Sequence, residues 1–279
     1  MSIIIINHRF FLLKNTLALM NTLNRYLLSI GINVGFFFKW LYNFPHYIRT
    51  FFTLHSHTKN TDFPIFFNYP CLHDIDDNSW TANWHYFHQD LLVAQKIFQS
   101  NSTKHIDIWS RVDWFVAHVA SFRNIEVFDI RKLENNIDNV DFQQLDLMKN
   151  IPEKYIEYTD SLSCLHTMEH FWLGRYGDTI DIDWHLKGFE QMGKILKKWW
   201  IFYFSTPIGE KQRIEFNAHR VFSLSYLIKM LWNNYTIESF SYVDDKWDLH
   251  KNITLNDDNN TKKTFWLQYW CGIFELRKN

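Results

Sequence analysis

Hydrophobic and polar positions change their spacing several times between residue 104 and the end of the chain. Short runs rich in β-branched and aromatic residues are typical of buried strands, and they predict strands at 104–108, 125–130, 161–168, 201–205, 235–243 and 265–277. Apolar residues at helical spacing predict helices at 86–99, 115–122, 185–198 and 223–231. This alternation favours a doubly wound α/β fold around a mainly parallel, Rossmann-like sheet.

The last two predicted strands have no helix between them. We therefore expect them to pair as a C-terminal antiparallel hairpin, with the polar residues 251–263 as its loop.

Residues 1–60 are apolar and basic, and we expect them to form a helical N-terminal extension, with residues 61–279 as the main domain. No apolar run in the extension reaches the roughly 18–20 residues that a membrane-spanning helix needs. No small-residue cleavage site follows, which argues against a cleavable signal peptide. We expect the extension to pack on the main domain. The alternative is a peripheral membrane contact of residues 1–50 through their aromatic and basic side chains.

Charge and cysteine content narrow the classes of function. The net charge of −1 gives no electrostatic case for binding nucleic acid. The three cysteines, Cys71, Cys164 and Cys271, are far apart and form no CxxC motif. An odd, scattered set argues against a disulfide scaffold and indicates a reducing cytoplasm. The composition leaves the oligomeric state open.

Tryptophan is abundant and glycine is scarce, at 13 and 8 of 279 residues, whereas average glycine usage is about 7%. Several tryptophans stand where a turn favours glycine. Trp109 and Trp114 lie in the turn after the first strand, which must be tight and close to the ligand in a nucleotide-type fold. Trp199 and Trp200 directly follow the helix predicted at 185–198. The other tryptophans at such junctions are Trp172, Trp184 and Trp247.

One hypothesis explains this pattern by codon reassignment. Some uncultivated bacterial lineages read UGA as glycine, and translating such a gene with a code that reads UGA as tryptophan would place tryptophan at glycine positions. The abundance of Asn, Ile, Lys, Phe and Tyr fits an AT-rich genome of that kind. The alternative is that the tryptophans are genuine and lie in loops. UGG codons at positions 109, 114, 199 and 200 would rule out reassignment.

Seven segments between about residues 64 and 277 carry a family resemblance, with tryptophan standing at several glycine positions. They are "ANWHYFHQDLLVAQKIF" (82–98), "HIDIWSRVDWFVAHVASF" (105–122), "FDIR" (128–131), "SLSCLHTMEHFWLGRYGD" (161–178), "FSTPIG" (204–209), "EFNAHRVFS" (215–223) and "YWCGIFE" (269–275). Together they resemble the uncharacterised family known as domain of unknown function 268. That family is similar to class I S-adenosylmethionine-dependent methyltransferases.

The resemblance implies S-adenosylmethionine as the cofactor and a site at the carboxyl ends of the strands. The loop 107–114 would cradle the methionine part of the cofactor, Asp129 would accept the ribose hydroxyls, and Asp146 would meet the adenine edge. Asp129 and Asp146 also fit ordinary strand-end and loop roles. The cofactor residues implied are Asp107, Trp109, Ser110, Arg111, Trp114, Asp129, Asp146 and Glu169.

The polar segments near this edge supply the remaining candidates. We expect His170 and His219 to be the catalytic bases, with Asp178 behind them, while Glu169 orients a histidine or the cofactor. The expected substrate-binding residues are His85, Tyr86, Asp90, Arg175, Tyr176, Asn217 and Arg220. Capping and loop packing would explain the same segments without a substrate.

The pattern "HTMEH" at 166–170 also matches the H-x-x-E-H motif of zinc peptidases. Because it follows a predicted strand rather than lying within a helix, we expect it to border the cofactor pocket, and we expect no metal.

The leading interpretation is a methyltransferase that O-methylates a sugar or a surface glycan. The alternative is a non-catalytic Rossmann-like protein that binds a glycan, a nucleotide-sugar or a protein partner.

Overall fold

The computed structural model describes residues 21–57, 70–72, 82, 84–147, 149–171, 173, 181, 183–216, 218–255 and 269–279. They belong to two compact units, Met1–Thr81 and Ala82–Asn279.

In the first unit, residues 21–29 are helical and helix α1 spans Val34–His57. The Asn43 side chain donates a hydrogen bond to the carbonyl of Leu72 at 2.7 Å. No helix among the described residues is long and apolar enough to cross a membrane. The expected division of the chain at residue 60 and the packing of the extension stay predictions.

The second unit is built on one eight-stranded sheet. Its strands are β1 (His105–Ile108), β2 (Ile125–Asp129), β3 (Val140–Gln144), β4 (Thr159–Leu165), β5 (Leu196–Ile208), β8 (Tyr235–Val243), β9 (Leu249–His250) and β10 (Trp270–Lys278). Their order is β3-β2-β1-β4-β5-β10-β8-β9. Strands β1 to β5 are parallel, and β10 runs antiparallel between β5 and β8. The predicted fold class and the C-terminal antiparallel pair are confirmed.

Helices cover both faces of this sheet. They are α2 (His85–Gln99), a π-helix (Val112–Val116) that continues into α3 (Ala117–Ala120), α4 (Trp184–Ile195) and α5 (Leu224–Leu231). One apolar core lies beneath α4 and α5, and the other lies beneath α2 and the π-helix. Strands β6 (Arg213–Glu215) and β7 (His219–Val221) form a separate antiparallel pair.

The carboxyl ends of β1, β2, β4 and β5 meet at one edge of the sheet because these strands are parallel. Asp160 fixes the opposite end of β1. Its carboxylate accepts hydrogen bonds from the backbone N–H groups of Thr103 and Lys104, both at 2.8 Å, and from the Thr103 hydroxyl at 2.6 Å.

The end of α4 differs from the sequence prediction. The helix was expected to continue to residue 198, but it ends at Ile195, and β5 begins at Leu196. The pairing of β4 with β5 shifts here, because Thr159 pairs with Leu196 and Ser161 pairs with Ile201. Residues 197–200 therefore form a bulge in β5. Trp199 lies inside that bulge rather than at a helix end.

Candidate functional site

The loop after β1 is held by a buried carboxylate. Asp107 is fully buried and accepts hydrogen bonds from the backbone N–H and the hydroxyl of Ser110, both at 2.9 Å, and from the Ser163 hydroxyl at 2.5 Å. Burial raises the pKa of Asp107 to about 6, although these three hydrogen bonds oppose the shift. Asp107 thus fixes the start of the loop after β1 through Ser110 and ties it to β4 through Ser163.

Trp109 stands at the first turn of this loop with a φ of 62°. Its backbone N–H donates to the carbonyl of Phe128 at 3.0 Å, which ties the loop to β2. The indole packs edge-on against Phe171, with ring centroids 4.9 Å apart. Among the described residues, its buried Nε1 has no hydrogen-bond partner. A bulky residue at positive φ is an outlier that needs an explanation.

Three further tryptophans have the same backbone conformation. The φ angles are 95° for Trp84, 69° for Trp199 and 71° for Trp247. Trp199 is 66% exposed, so at this position a positive φ is combined with an indole that has little packing around it. Trp84 was not singled out by sequence reasoning.

Arg111, Asp113 and Trp114 follow in this segment and are exposed. Arg111 pairs with Asp113, with Nη2 and Oδ2 2.7 Å apart, and lies 5.4 Å from the ring centroid of Trp114. Trp114 is 41% exposed and meets Tyr86 edge-on at 5.3 Å. The structure thus places these residues beside the loop, with Trp114 linking it to α2.

Asp129 ends β2 beside the same loop. Its carboxylate is nearly buried and accepts three hydrogen bonds from Arg131: from the backbone N–H at 2.8 Å, from Nε at 3.0 Å and from Nη2 at 2.6 Å. The Arg131 side chain is 57% exposed. A half-exposed side chain can move away, so a ligand that offers hydroxyl donors could replace it on Asp129.

Asp146 lies in the segment after β3 and is partly buried. One carboxylate oxygen is 3.6 Å from Lys149 Nζ. The segment is attached to the end of β2, because the Leu145 N–H donates to the carbonyl of Asp129 at 3.0 Å. The structure therefore brings Asp129 and Asp146 to one edge of the sheet.

Histidines surround Glu169 in the turn Met168–His170 that follows β4. Glu169 is 1% exposed, and its Oε1 is 3.0 Å from His166 Nδ1 and 3.9 Å from His170 Nε2. His170 Nδ1 is 2.8 Å from the carbonyl oxygen of Ala218, and its ring meets His219 edge-on at 5.9 Å. Burial raises the pKa of Glu169, while the two nearby histidines, His170 and His219, oppose the shift.

The first residues of α2 lie against this cluster. The His85 ring stacks on His166 with centroids 4.6 Å apart, and Tyr86 meets His166 edge-on at 5.2 Å. Burial lowers the pKa of His85 to about 3, and His166 and His219 add to that effect. The Tyr269 ring completes the group, 6.2 Å from His85 and 5.6 Å from His219.

Asp90 lies one turn further along α2 and is buried. Its Oδ1 accepts a hydrogen bond from the Gln89 amide at 2.8 Å, and Gln89 in turn accepts from the Ser205 hydroxyl at 2.6 Å. Burial raises the pKa of Asp90 to about 7, which the Gln89 hydrogen bond opposes and the charge of Asp107 reinforces. Asp90 therefore belongs to a buried polar network that connects α2 to β5.

Arg220 is buried and holds the chain after the Glu169 turn. Its guanidinium donates to the carbonyls of Phe171 at 2.6 Å and Asp181 at 3.2 Å. Arg220 therefore holds Phe171 and Asp181, and its expected role in substrate binding stays a prediction. The expected site residues Arg175, Tyr176, Asp178 and Asn217 lie outside the described residues.

The structure brings His166 into the candidate site, where the sequence analysis had not placed it. His166 contacts both Glu169 and His85, yet the sequence offered it only as half of a zinc-like motif. The turn Met168–His170 is a single 3-10 turn after a strand, so His166 and His170 do not lie on one face of an α-helix. The signal available was its position, directly after a buried strand.

Comparison with known proteins gives a family and a fold. The family described as "Caenorhabditis protein of unknown function, DUF268" matches residues 126–269. A search of curated proteins found no match. The [4+2]-cyclase SpnF is structurally similar, with a TM-score of 0.51 and 11% identity over 72% of this chain and 85% of SpnF.

Two methyltransferase structures are similar to this chain as well. One is the N-methyltransferase NodS from Bradyrhizobium japonicum WM9 in complex with S-adenosyl-L-homocysteine, with 11% identity, a TM-score of 0.46, and coverage of 82% of this chain and 98% of NodS. The other is the Burkholderia thailandensis 1,6-didemethyltoxoflavin-N1-methyltransferase, with 12% identity, a TM-score of 0.47, and coverage of 85% and 90%.

Proposed function

We propose that this chain, which belongs to the DUF268 family and has a confirmed Rossmann-like sheet, is an S-adenosylmethionine-dependent methyltransferase. The observation that carries the proposal is the nearly buried carboxylate of Asp129 at the carboxyl end of β2, beside the loop after β1. In dinucleotide-binding sheets an acidic residue about 20 residues after the first loop accepts the ribose hydroxyls. Asp129 follows Trp109 by that distance.

The side chains at this edge of the sheet fit such a cofactor, except that the Trp109 indole is a steric obstacle. Asp129 and Asp146 offer acceptors for hydroxyl and amine groups at one edge of the sheet, and Asp107 holds the turn of the loop through the Ser110 N–H. Trp109 puts an indole where glycine would let the backbone approach the ligand. Glycine at position 109 would remove this obstacle.

The cofactor, when bound, supplies a methyl group on a positively charged sulfur. Within this chain Asp129 would hold the ribose after Arg131 moves away, and Asp146 would accept from the adenine amine. The cluster around Glu169 lies beside the same loop, because Thr167 Oγ1 is 3.4 Å from the Ile108 carbonyl. These residues would bind and orient the acceptor and exclude water from it.

The acceptor that we propose is a hydroxyl of a sugar or surface glycan. Aromatic rings suit the apolar faces of sugars, and Tyr86, Tyr269 and Trp247 surround His85 at centroid distances between 4.2 and 6.2 Å. Imidazole and carboxylate groups nearby can hydrogen-bond sugar hydroxyls.

Isothermal titration calorimetry with S-adenosylmethionine tests the cofactor assignment. We expect the full chain with Trp109→Gly and Trp114→Gly to bind with micromolar affinity, and the unaltered chain to bind at least tenfold more weakly. Adding Asp129→Ala should abolish binding, whereas Asp138→Ala, an exposed change in the β2–β3 connection, should not. If neither the altered nor the unaltered chain binds, the cofactor assignment fails.

The second candidate function is a non-catalytic member of the family that binds a glycan, nucleotide-sugar or protein. Two observations favour it: the Trp109 indole at the cofactor loop and the occupation of Asp129 by Arg131. If calorimetry detects no binding of S-adenosylmethionine to the unaltered chain or to any variant, that result would support this alternative.

A further inference from the structure

His166 has one ring nitrogen paired and the other unpaired. Nδ1 is 3.0 Å from Glu169 Oε1, while Nε2 has no hydrogen-bond partner among the residues that the structure describes. The side chain is only 2% exposed. An unpaired buried polar atom costs about 1–3 kcal/mol, so its persistence in a native site calls for a functional explanation.

The Glu169 carboxylate determines which nitrogen of His166 can act. A carboxylate accepts from Nδ1–H, and this fixes the neutral tautomer with the lone pair on Nε2. Burial lowers the pKa of His166 to about 3, so the ring is neutral at pH 7 and its Nε2 lone pair carries no proton. The negative charge of Glu169 would stabilise the imidazolium formed afterwards, as in other carboxylate–histidine pairs.

The backbone holds the ring rigidly in this position. His166 has a φ of 49°, which is unusual for a residue with a side chain. Its N–H lies 3.1 Å from both the carbonyl and the hydroxyl oxygen of Ser205, and that hydroxyl donates to Gln89. Strained conformations of this kind persist where surrounding structure enforces them, commonly at functional sites.

Three titratable side chains contact His166. Glu169 comes from the following turn, and His85 and Tyr86 come from the start of α2. Burial keeps His85 neutral at pH 7. Glu169 is therefore the group in hydrogen-bond contact that favours a positive charge on His166.

We propose that His166, in place of His170 and His219, is the general base of the methyl transfer and that Glu169 is its positioning residue; the inference rests on the proposed function. Nε2 takes the proton of the acceptor hydroxyl while the oxygen bonds to the methyl carbon. The electron pair of the broken sulfur–methyl bond stays on sulfur. A neutral alcohol thus becomes a neutral ether, and the positive charge moves from sulfur to the imidazole ring.

Nitrogen-15 NMR of the histidine rings in the full chain tests the tautomer directly. We expect His166 to be neutral between pH 5 and 8 with its proton on Nδ1, and Glu169→Gln to alter that tautomer balance. The exposed His118 supplies the reference signal, which Glu169→Gln should leave unchanged. A proton on Nε2 in the unaltered Glu169 chain would overturn the proposal.

Two cofactor analogues test whether Nε2 faces the transferred methyl group without needing the acceptor. Sinefungin carries an amine in place of the methyl-bearing sulfonium, and S-adenosylhomocysteine carries neither. In the full chain with Trp109→Gly, the ammonium of sinefungin should be attracted to the His166 Nε2 lone pair. We expect it to bind about tenfold more tightly than S-adenosylhomocysteine, because charged hydrogen bonds contribute more than about 1.4 kcal/mol.

His166→Gly is the matched variant, because glycine accepts a φ of 49° and the chain should still fold. The preference for sinefungin should fall at least threefold in this variant. A preference that persists, while both analogues bind, would overturn the role of His166 and leave the methyltransferase assignment intact. If neither analogue binds, the cofactor site itself is refuted and the role of His166 falls with it.

Discussion

At the scale of single residues, the backbone of four tryptophans is the most informative feature. Eight described non-glycine residues have positive φ, and four of them are tryptophan. Asparagine tolerates positive φ because its short polar side chain forms hydrogen bonds with the nearby backbone. A tryptophan side chain forms no such local hydrogen bonds. We propose that these are glycine positions of the native gene product. UGA codons at positions 109 and 199 would support this proposal, and UGG codons would contradict it.

Replacing Trp199 by glycine should stabilise the protein. Its φ of 69° is strained, and its side chain is 66% exposed, so little packing is lost. We expect the free energy of unfolding to rise by about 1 kcal/mol in urea denaturation. Trp232 is the matched control, because it is 71% exposed but has helical backbone angles. Trp232→Gly should lower the free energy of unfolding by about 0.5–1 kcal/mol.

Asp90 should make stability depend on pH. Its pKa is raised to about 7 in the folded state, against about 3.9 in an unfolded chain. The folded state therefore binds more protons between these values, and the contribution of Asp90 to stability is lost as the pH rises from about 4 to about 7.

Asp90→Asn removes this titration. Relative to the parent protein, its free energy of unfolding should increase between pH 4 and pH 8 by on the order of 2–4 kcal/mol. Urea denaturation at both pH values measures the difference. Asp138→Asn, at an exposed site, is the control. An equal difference for the two variants would contradict the burial argument.

At the scale of elements, the sequence predicted most of the sheet and missed elements with ambiguous patterns. The strand at 235–243 was predicted with its observed bounds, because turn residues bracket an alternating apolar run. β5 was predicted too short, since the lysines and tryptophans of 197–200 look like a helix end although they form a bulge. β3 was missed because this edge strand is polar and largely exposed.

For the candidate site, too, the sequence predicted some residues and missed the role of others. Asp107, Asp129 and Glu169 could be placed at one edge from the positions of the strands alone. The role proposed for His166 depends on Glu169, three residues further along, which lies against Nδ1. The ring is held in that position by long-range contacts with Ser205 and His85, and no local sequence pattern predicts those contacts.

Asp160 connects two elements, β1 and β4, and should be needed for stability. Burial acts to raise the pKa of Asp160, but hydrogen bonds from Thr103 and Lys104 outweigh it and lower the pKa. Asp160→Ala leaves these donors without their acceptor, and we expect about 2–3 kcal/mol less free energy of unfolding. Asp138→Ala in the same urea titration should change it by less than about 0.5 kcal/mol.

At the scale of the whole molecule, the first unit presents apolar surface. Phe37, Phe38 and Tyr42 of α1 are 57%, 63% and 80% exposed. Aromatic and basic side chains together favour the surface of anionic membranes, and we propose a peripheral contact through residues 1–50.

Vesicle co-sedimentation tests this contact. The full chain should sediment with anionic phosphatidylserine vesicles, and more weakly in 0.5 M salt. Residues 82–279, which contain the whole described sheet, should remain in the supernatant. Equal sedimentation of both chains would contradict a contact through the first unit.

The central claim is that the loop after β1 and the end of β2 form a cofactor site. A crystal structure of the full chain with Trp109→Gly, grown with S-adenosylhomocysteine, tests it most directly. We predict density for the ligand at this edge, with both ribose hydroxyls within 3.2 Å of the Asp129 carboxylate and the Arg131 side chain displaced. Unchanged Asp129–Arg131 hydrogen bonds with no ligand at this edge would contradict the claim.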